Sequence, residues 1–276
     1  MQYLPQTLAS WTALLAAVAT ILGLIQSRGW LTGVGAILVC ISMAAILYAR
    51  SQRLRVDTAS IEIEGVSIDS VNAANLRRRV NRSLTVQAAE HFATIDGPDL
   101  DMVWRYTGYC RAAREAVMEF SVDSANNVPF DQLDCFAFDL KRDPEKKHKI
   151  QPLLIGPDSI SKKIAVPFLE PLTARQPFDI MLHCCLSGIY KPGIAYYTST
   201  LSFDQDKVAR CTVHLTFRGQ KPDWVRVYDV DGLGRARLLK NLHPVRNDQE
   251  TTEYRDVSEN LAAQSARVYL FRQVGA

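Results

Sequence analysis

Cys211-Thr212-Val213-His214-Leu215-Thr216-Phe217-Arg218 alternates without a break. Cys211, Val213, Leu215 and Phe217 fall on one side of an extended chain, and Thr212, His214, Thr216 and Arg218 on the other. A period of two with one apolar side is the pattern of a strand buried on one face and wet on the other. The same alternation appears at Ile61 and Ile63 and at Met118, Phe120 and Val122. Further strand-like runs are Val103–Tyr109, Cys135–Leu140, Phe178–Leu186, Tyr196–Phe203, Trp224–Val230 and Ala266–Arg272. Ten of the twelve prolines lie between residues 129 and 244, which excludes long helices there and punctuates short strands. Many strands with no alternating helices predict an antiparallel sandwich or barrel, a choice the pattern leaves open.

Outward from this body, the composition changes. The chain holds 32 basic and 29 acidic residues, yet the first fifty carry only Arg28 and Arg50. Leu8–Ile25 and Trp30–Tyr48 are uncharged runs of 18 and 19 residues. As helices each would be about 27–29 Å long, near the thickness of a bilayer core. Met1–Thr7 lacks the basic leader of a signal peptide, and a second apolar run follows at once. The expectation is therefore an N-terminal transmembrane helical hairpin (1–50), a basic connector with short strands and a helix (51–95), and a mainly-β cytoplasmic domain (96–276). Arg50, Arg53 and Arg55 at the exit, against Arg28 in the turn, place both termini on the cytoplasmic side. Ala9, Ala13 and Ala17, with Gly29 and Gly33, give small-residue faces on which helices pack closely, either closing the hairpin or serving self-association. In the connector, Asp69 or Ser70 can cap a helix that carries Leu76, Val80 and Leu84 at four-residue spacing. Arg77, Arg78, Arg79 and Arg82 crowd its other side.

Residues 51–276 balance 30 basic against 29 acidic side chains, which speaks against general nucleic-acid binding. Catalytic patterns are missing: no Gly-x-Ser-x-Gly, no phosphate loop and no His-Glu-x-x-His. Asp229-Val-Asp231-Gly-Leu-Gly234 fails as a calcium loop because Lys240 stands where an acidic ligand should close it. On a strand, His183 and Cys185 share a face and Cys184 takes the other, a poor local ligand set, so no metal and no cofactor is expected. In a reducing cytoplasm the cysteines are expected unpaired. What remains resembles binding chemistry. Trp224, Arg226 and Tyr228 alternate on one strand face, where two rings flanking a guanidinium can stack a base and grip a phosphate. Lys162 and Lys163 offer a second cationic point. As an ordinary outer sheet face, the same residues need no ligand.

The layout of a two-span hairpin at Leu8–Tyr48, a basic exit and a β-rich body over Ile61–Arg272 resembles the membrane effectors of bacterial anti-phage defence. These accompany cyclic-oligonucleotide synthases in CBASS-type and minimal CRISPR-polymerase systems. The resemblance implies a multi-pass protein of the bacterial inner membrane, and the missing catalytic patterns imply no enzyme. Its β-domain would bind a cyclic nucleotide that controls self-association and disruption of the lipid bilayer. The alternative is a membrane-tethered adaptor whose β-domain docks a protein; an enzyme on a tether ranks last.

Overall fold

A computed structural model describes residues 60–273 apart from 70, 72–75, 77, 79, 124–127, 157, 159, 160 and 220. The chain divides after residue 59, and the described residues belong to the unit that begins at Ser60. That unit is built almost wholly of strands. In chain order they are β1 (Ile61–Ile63), β2 (Val66–Ile68), β3 (Leu84–Asp96), β4 (Asp99–Cys110), β5 (Glu115–Asp123), β6 (Asp134–Asp139) and β7 (Leu153–Leu154). There follow β8 (Ser161–Leu172), β9 (Pro177–Leu186), β10 (Gly193–Arg218), β11 (Val225–Val230), β12 (Ala236–Leu242), β13 (Pro244–Asn247) and β14 (Thr251–Gln273).

One large sheet runs β12-β11-β14-β10-β3-β4-β9-β6, with β13 added beside β14. A smaller sheet, β5-β8-β7, packs on its inner face, and β1-β2 form a hairpin. The alternation seen at Cys211–Phe217 is general. Leu100, Met102, Trp104 and Tyr106 of β4, and Phe178, Ile180, Leu182 and Cys184 of β9, turn into the core. Met118, Phe120, Val122, Ile164 and Val166 meet them from the smaller sheet. At about 25 cal/mol per Å² of apolar surface, this burial is the main term holding the layers together. A second cluster lies elsewhere: Ile61, Ile63 and Ile68 of the hairpin cover Tyr228, Val230, Val268 and Leu270. Ile63 pairs with Val66 across Glu64-Gly65, and both turn residues are left-handed, with φ of 51° and 78°. That is the signature of the two-residue type I′ turn, whose twist matches the strands it joins.

β10 has 26 residues and β14 has 23, several times the common strand length of about 5–6. They pair antiparallel along their whole length except for an irregularity between Ser202 and Lys207. Beyond it, Arg210–Arg218 also pairs in parallel with Ala88–Asp96 of β3. Before it, β10 has only β14 beside it among the described strands, apart from one bridge between Phe203 and Val80. Where β10 leaves β3, a side chain continues the ladder. Gln205 accepts from the Val86 amide (2.8 Å) and donates to the Val86 carbonyl (2.7 Å). Asn81 does the same for Glu119, with two 2.8 Å bonds. The corner is closed by the Asp204 amide on the Val80 carbonyl and by Arg111 on the Asp204 carbonyl.

Four sequence expectations are corrected here. Among the described residues no helix is long and apolar enough to cross a membrane, so the fold class becomes an all-β sandwich-like unit. The helical hairpin over 1–50, with Ala9, Ala13, Ala17, Gly29 and Gly33, lies outside the described residues, and the membrane placement drawn from it is not carried further. The helix over Leu76–Leu84 does not extend as spaced: Val80 makes a β-bridge and Leu84 opens β3. The pairing is not purely antiparallel, because β10 and β3 run parallel. Finally, Cys135 and Cys184 stand directly opposite each other on β6 and β9 and form a disulfide. Cross-links of this loop length are worth about 2–4 kcal/mol, and this one ties the edge strand β6 to its neighbour.

The surrogate ladder predicts the cost of losing it. Gln205→Ala strands a buried amide and carbonyl of Val86, and should destabilise the chain by about 1–3 kcal/mol in urea unfolding. Gln205→Glu keeps the acceptor but loses the donor, and should fall between. An alanine variant within about 0.5 kcal/mol of wild type would contradict this role.

Candidate functional site

A deep concavity lies where β10 departs from β3. Between the Gly193–Phe203 part of β10 and the inner face of β4 lies a cavity of about 320 Å³. Leu100, Met102, Trp104 and Tyr106 form its floor, Phe120 and Phe203 one side, and Ile189–Pro192 the rim. Residues from both faces of β10 reach it, Ala195 and Tyr197 from one and Ile194, Tyr196 and Thr198 from the other.

The lining is mostly apolar and aromatic. Tyr106 stacks on Phe120 with centroids 5.1 Å apart and meets Phe203 edge-on at 5.2 Å. The Tyr190 hydroxyl donates to the Tyr196 carbonyl at 3.1 Å. Two buried hydroxyl groups lack a hydrogen bond of normal geometry: that of Thr200, and that of Tyr197 beside the Trp104 indole. Burial pushes the Tyr106 and Tyr197 phenols well up, so both are neutral donors at any working pH. Among charged side chains, Glu119 and Lys191 line the space, and Glu119 is already paired with Arg78 at 2.8 Å.

None of the five residues expected to bind a ligand lines this cavity. Trp224, Arg226 and Tyr228 do share a face, and the guanidinium does lie on the indole, 4.4 Å from its centroid. The anion they hold belongs to the chain itself. Arg226 Nη1 donates to both Glu64 carboxylate oxygens at 2.6 and 2.7 Å, and the Tyr228 hydroxyl donates to the same group. These bonds, Tyr228 first and Arg226 second, hold the Glu64 carboxyl below the usual carboxylate range. Burial and the Glu64 contact push the Tyr228 phenol up to about 12. The trio thus anchors the left-handed turn of the β1-β2 hairpin. Lys162 is fully buried on β8, with its ammonium 2.9 Å from Asp158. Lys163 follows it on the same strand, and its carbonyl accepts from the Ile155 amide.

The sequence reading missed Tyr190, Tyr197, Thr200 and Gln205. One signal was present: Ile194, Tyr196 and Thr198 alternate with Ala195 and Tyr197, so neither face of that run reads as purely solvent-facing.

No family model and no curated protein matches this chain. Solved structures of similar fold include the M1 zinc metallopeptidase of Deinococcus radiodurans. It is 12% identical, with a TM-score of 0.44, over 69% of this chain and 43% of that one. A point mutant of the same enzyme matches at 11% identity and a TM-score of 0.45, over 71% and 45%. The chain spans less than half the length of these structures. At these values the likeness transfers neither an activity nor a site. The expected resemblance to two-span effectors of anti-phage defence, and the inner-membrane setting that came with it, are corrected by the described residues, among which no helix is long and apolar enough to cross a membrane.

Behind the cavity floor, His91 is fully buried and shares a 3.2 Å hydrogen bond with Tyr106. Burial pulls its imidazole from 6.5 down to about 3. The folded state therefore resists protonation while the unfolded state accepts it, so stability is full above pH 6.5 and is lost as pH falls toward 3. Between pH 7.5 and 5 this one group should cost about 2 kcal/mol. His91→Gln, compared with wild type in urea unfolding at both pH values, should remove that part of the pH dependence. Identical pH profiles would show that His91 is not held neutral.

Proposed function

We propose that the β-rich unit is a binding module for a small, neutral, mainly apolar molecule held in the β4–β10 cavity. The supporting observation is the pairing of a mostly apolar, aromatic wall with two buried hydroxyls, Tyr197 and Thr200, that lack a hydrogen bond of normal geometry. A few convergent polar groups in an otherwise apolar concavity are what orient a ligand in sites of about 300–1,000 Å³. The volume of about 320 Å³ suits a compact ring system. Phosphate recognition needs clustered cations or backbone donors. The cyclic nucleotide expected from the sequence would meet one lysine, Lys191, and the carboxylate of Glu119 here. Charge therefore favours the neutral ligand.

Calorimetric titration of the full chain with indole, and separately with a cyclic dinucleotide, tests this reading. Indole should bind and the dinucleotide should not. Ala195→Leu, which fills the cavity from β10, should weaken indole at least about tenfold by occupying its volume. Tyr197→Phe should weaken it about two- to tenfold through one lost hydrogen bond. Binding of the dinucleotide alone, or indole binding untouched by Ala195→Leu, would overturn the proposal.

A further inference from the structure

A second group of side chains lies on the other face of the large sheet. Asp101 of β4 is the direct cross-strand neighbour of Cys185 on β9. His183 stands two residues before Cys185 and so projects from the same side. Three different donor types thereby converge from two adjacent strands. The His183 Nε2 is 2.5 Å from the Asp101 Oδ1 and 3.8 Å from the Cys185 Sγ. All three ligand atoms lie within 4.8 Å of one another. The register that opposes Asp101 to Cys185 cannot be read locally, which is why His183-Cys184-Cys185 looks unpromising as a linear motif. Cys184 turns inward to its disulfide, leaving His183 and Cys185 together on the outer side.

We propose that Asp101, His183 and Cys185 form a binding site for a divalent transition metal, with zinc as the best match. A thiolate, an imidazole and a carboxylate are the ligands zinc accepts, at about 2.0–2.3 Å each. Bonds of that length in a tetrahedron put donor atoms about 3.3–3.8 Å apart, so side-chain shifts of about an ångström at most complete the set. Magnesium and calcium prefer oxygen alone and would reject the sulfur. Two features make the site ready for a cation. The Phe136 ring lies edge-on to the imidazole with centroids 4.5 Å apart, which fixes the plane of His183. Asp134 of β6 opposes Cys185 from the other side, so the sulfur sits between two carboxylates. Binding releases the thiol proton to solvent, and no electron transfer is involved. Asp101 is half exposed, so the fourth position faces solvent and is open to water. His183 Nδ1 has no hydrogen-bond partner; a zinc-bound histidine held without that second bond binds more weakly than one with it.

Cobalt(II) added to the full chain, with the disulfide intact, gives the test. One equivalent should produce a thiolate-to-cobalt charge-transfer band, and zinc should erase it. Cys185→Ser should abolish the band. Asp101→Asn and His183→Gln should each weaken cobalt by about tenfold or more. Far-UV circular dichroism of the metal-free variants checks folding, and the two milder substitutions carry the test if Cys185→Ser misfolds. A band that survives Cys185→Ser, no band in the wild type, or affinities unmoved by Asp101→Asn and His183→Gln would reduce the cluster to an Asp101–His183 ion pair.

Discussion

A strand of 26 residues outruns its neighbour on one edge: β10 keeps β14 along its length, but β3 lies beside only its second part. The change falls at Phe203–Asp206. Past that point it has β14 on one side and β3 on the other; before it, β14 is its one strand partner among those described. Buried backbone groups must be paired, since each orphan costs about 1–3 kcal/mol. Gln205 and Asn81 meet that demand with side-chain amides, each offering one donor and one acceptor in the spacing of a peptide group. With the corner satisfied this way, the strand can leave β3 without unravelling it.

The cavity is a consequence of that departure. Stiff rings hold the space between β10 and the apolar side of β4 open: Tyr106 against Phe120 and Phe203, and Tyr190 against Phe271. His91 braces Tyr106 from behind and is kept neutral by burial. The same sheet carries separate chemistry on its far side, because β4 and β9 present their odd and even residues to opposite faces. Met102, Trp104 and Leu182 build the core, while Asp101 and His183 meet outside it.

Much of the strand pattern was legible. Phe178–Leu186 falls within β9, Cys211–Arg218 closes β10, and Ala266–Arg272 lies in β14. Those segments keep strict alternation with large apolar residues on the buried side. β3 was obscured because its inward face uses Ala89 and Ala93, and because a bulge between Val86 and Ala88 breaks the period. Leu76, Val80 and Leu84 matched a helical spacing that tertiary pairing overrode at the last two. The stacking of Arg226 on Trp224 was readable from alternation, but its anionic partner was not, since Glu64 lies 162 residues away. The Cys135–Cys184 link and the Asp101–Cys185 pairing share this limit: both depend on register between distant strands, which no local window contains.

Amide hydrogen exchange resolved along β3 and β10 tests the change of partner most directly. Arg210–Arg218 has strands on both sides, so every amide there should be slow to exchange. Where β10 leaves β3, the Val86 amide donates to the Gln205 side chain, so Gln205→Ala should speed exchange at Val86 while Arg210–Arg218 stays slow. Exchange at Val86 unmoved by Gln205→Ala would mean that the side-chain amide does not hold the corner, and the account of how β10 leaves β3 would be contradicted.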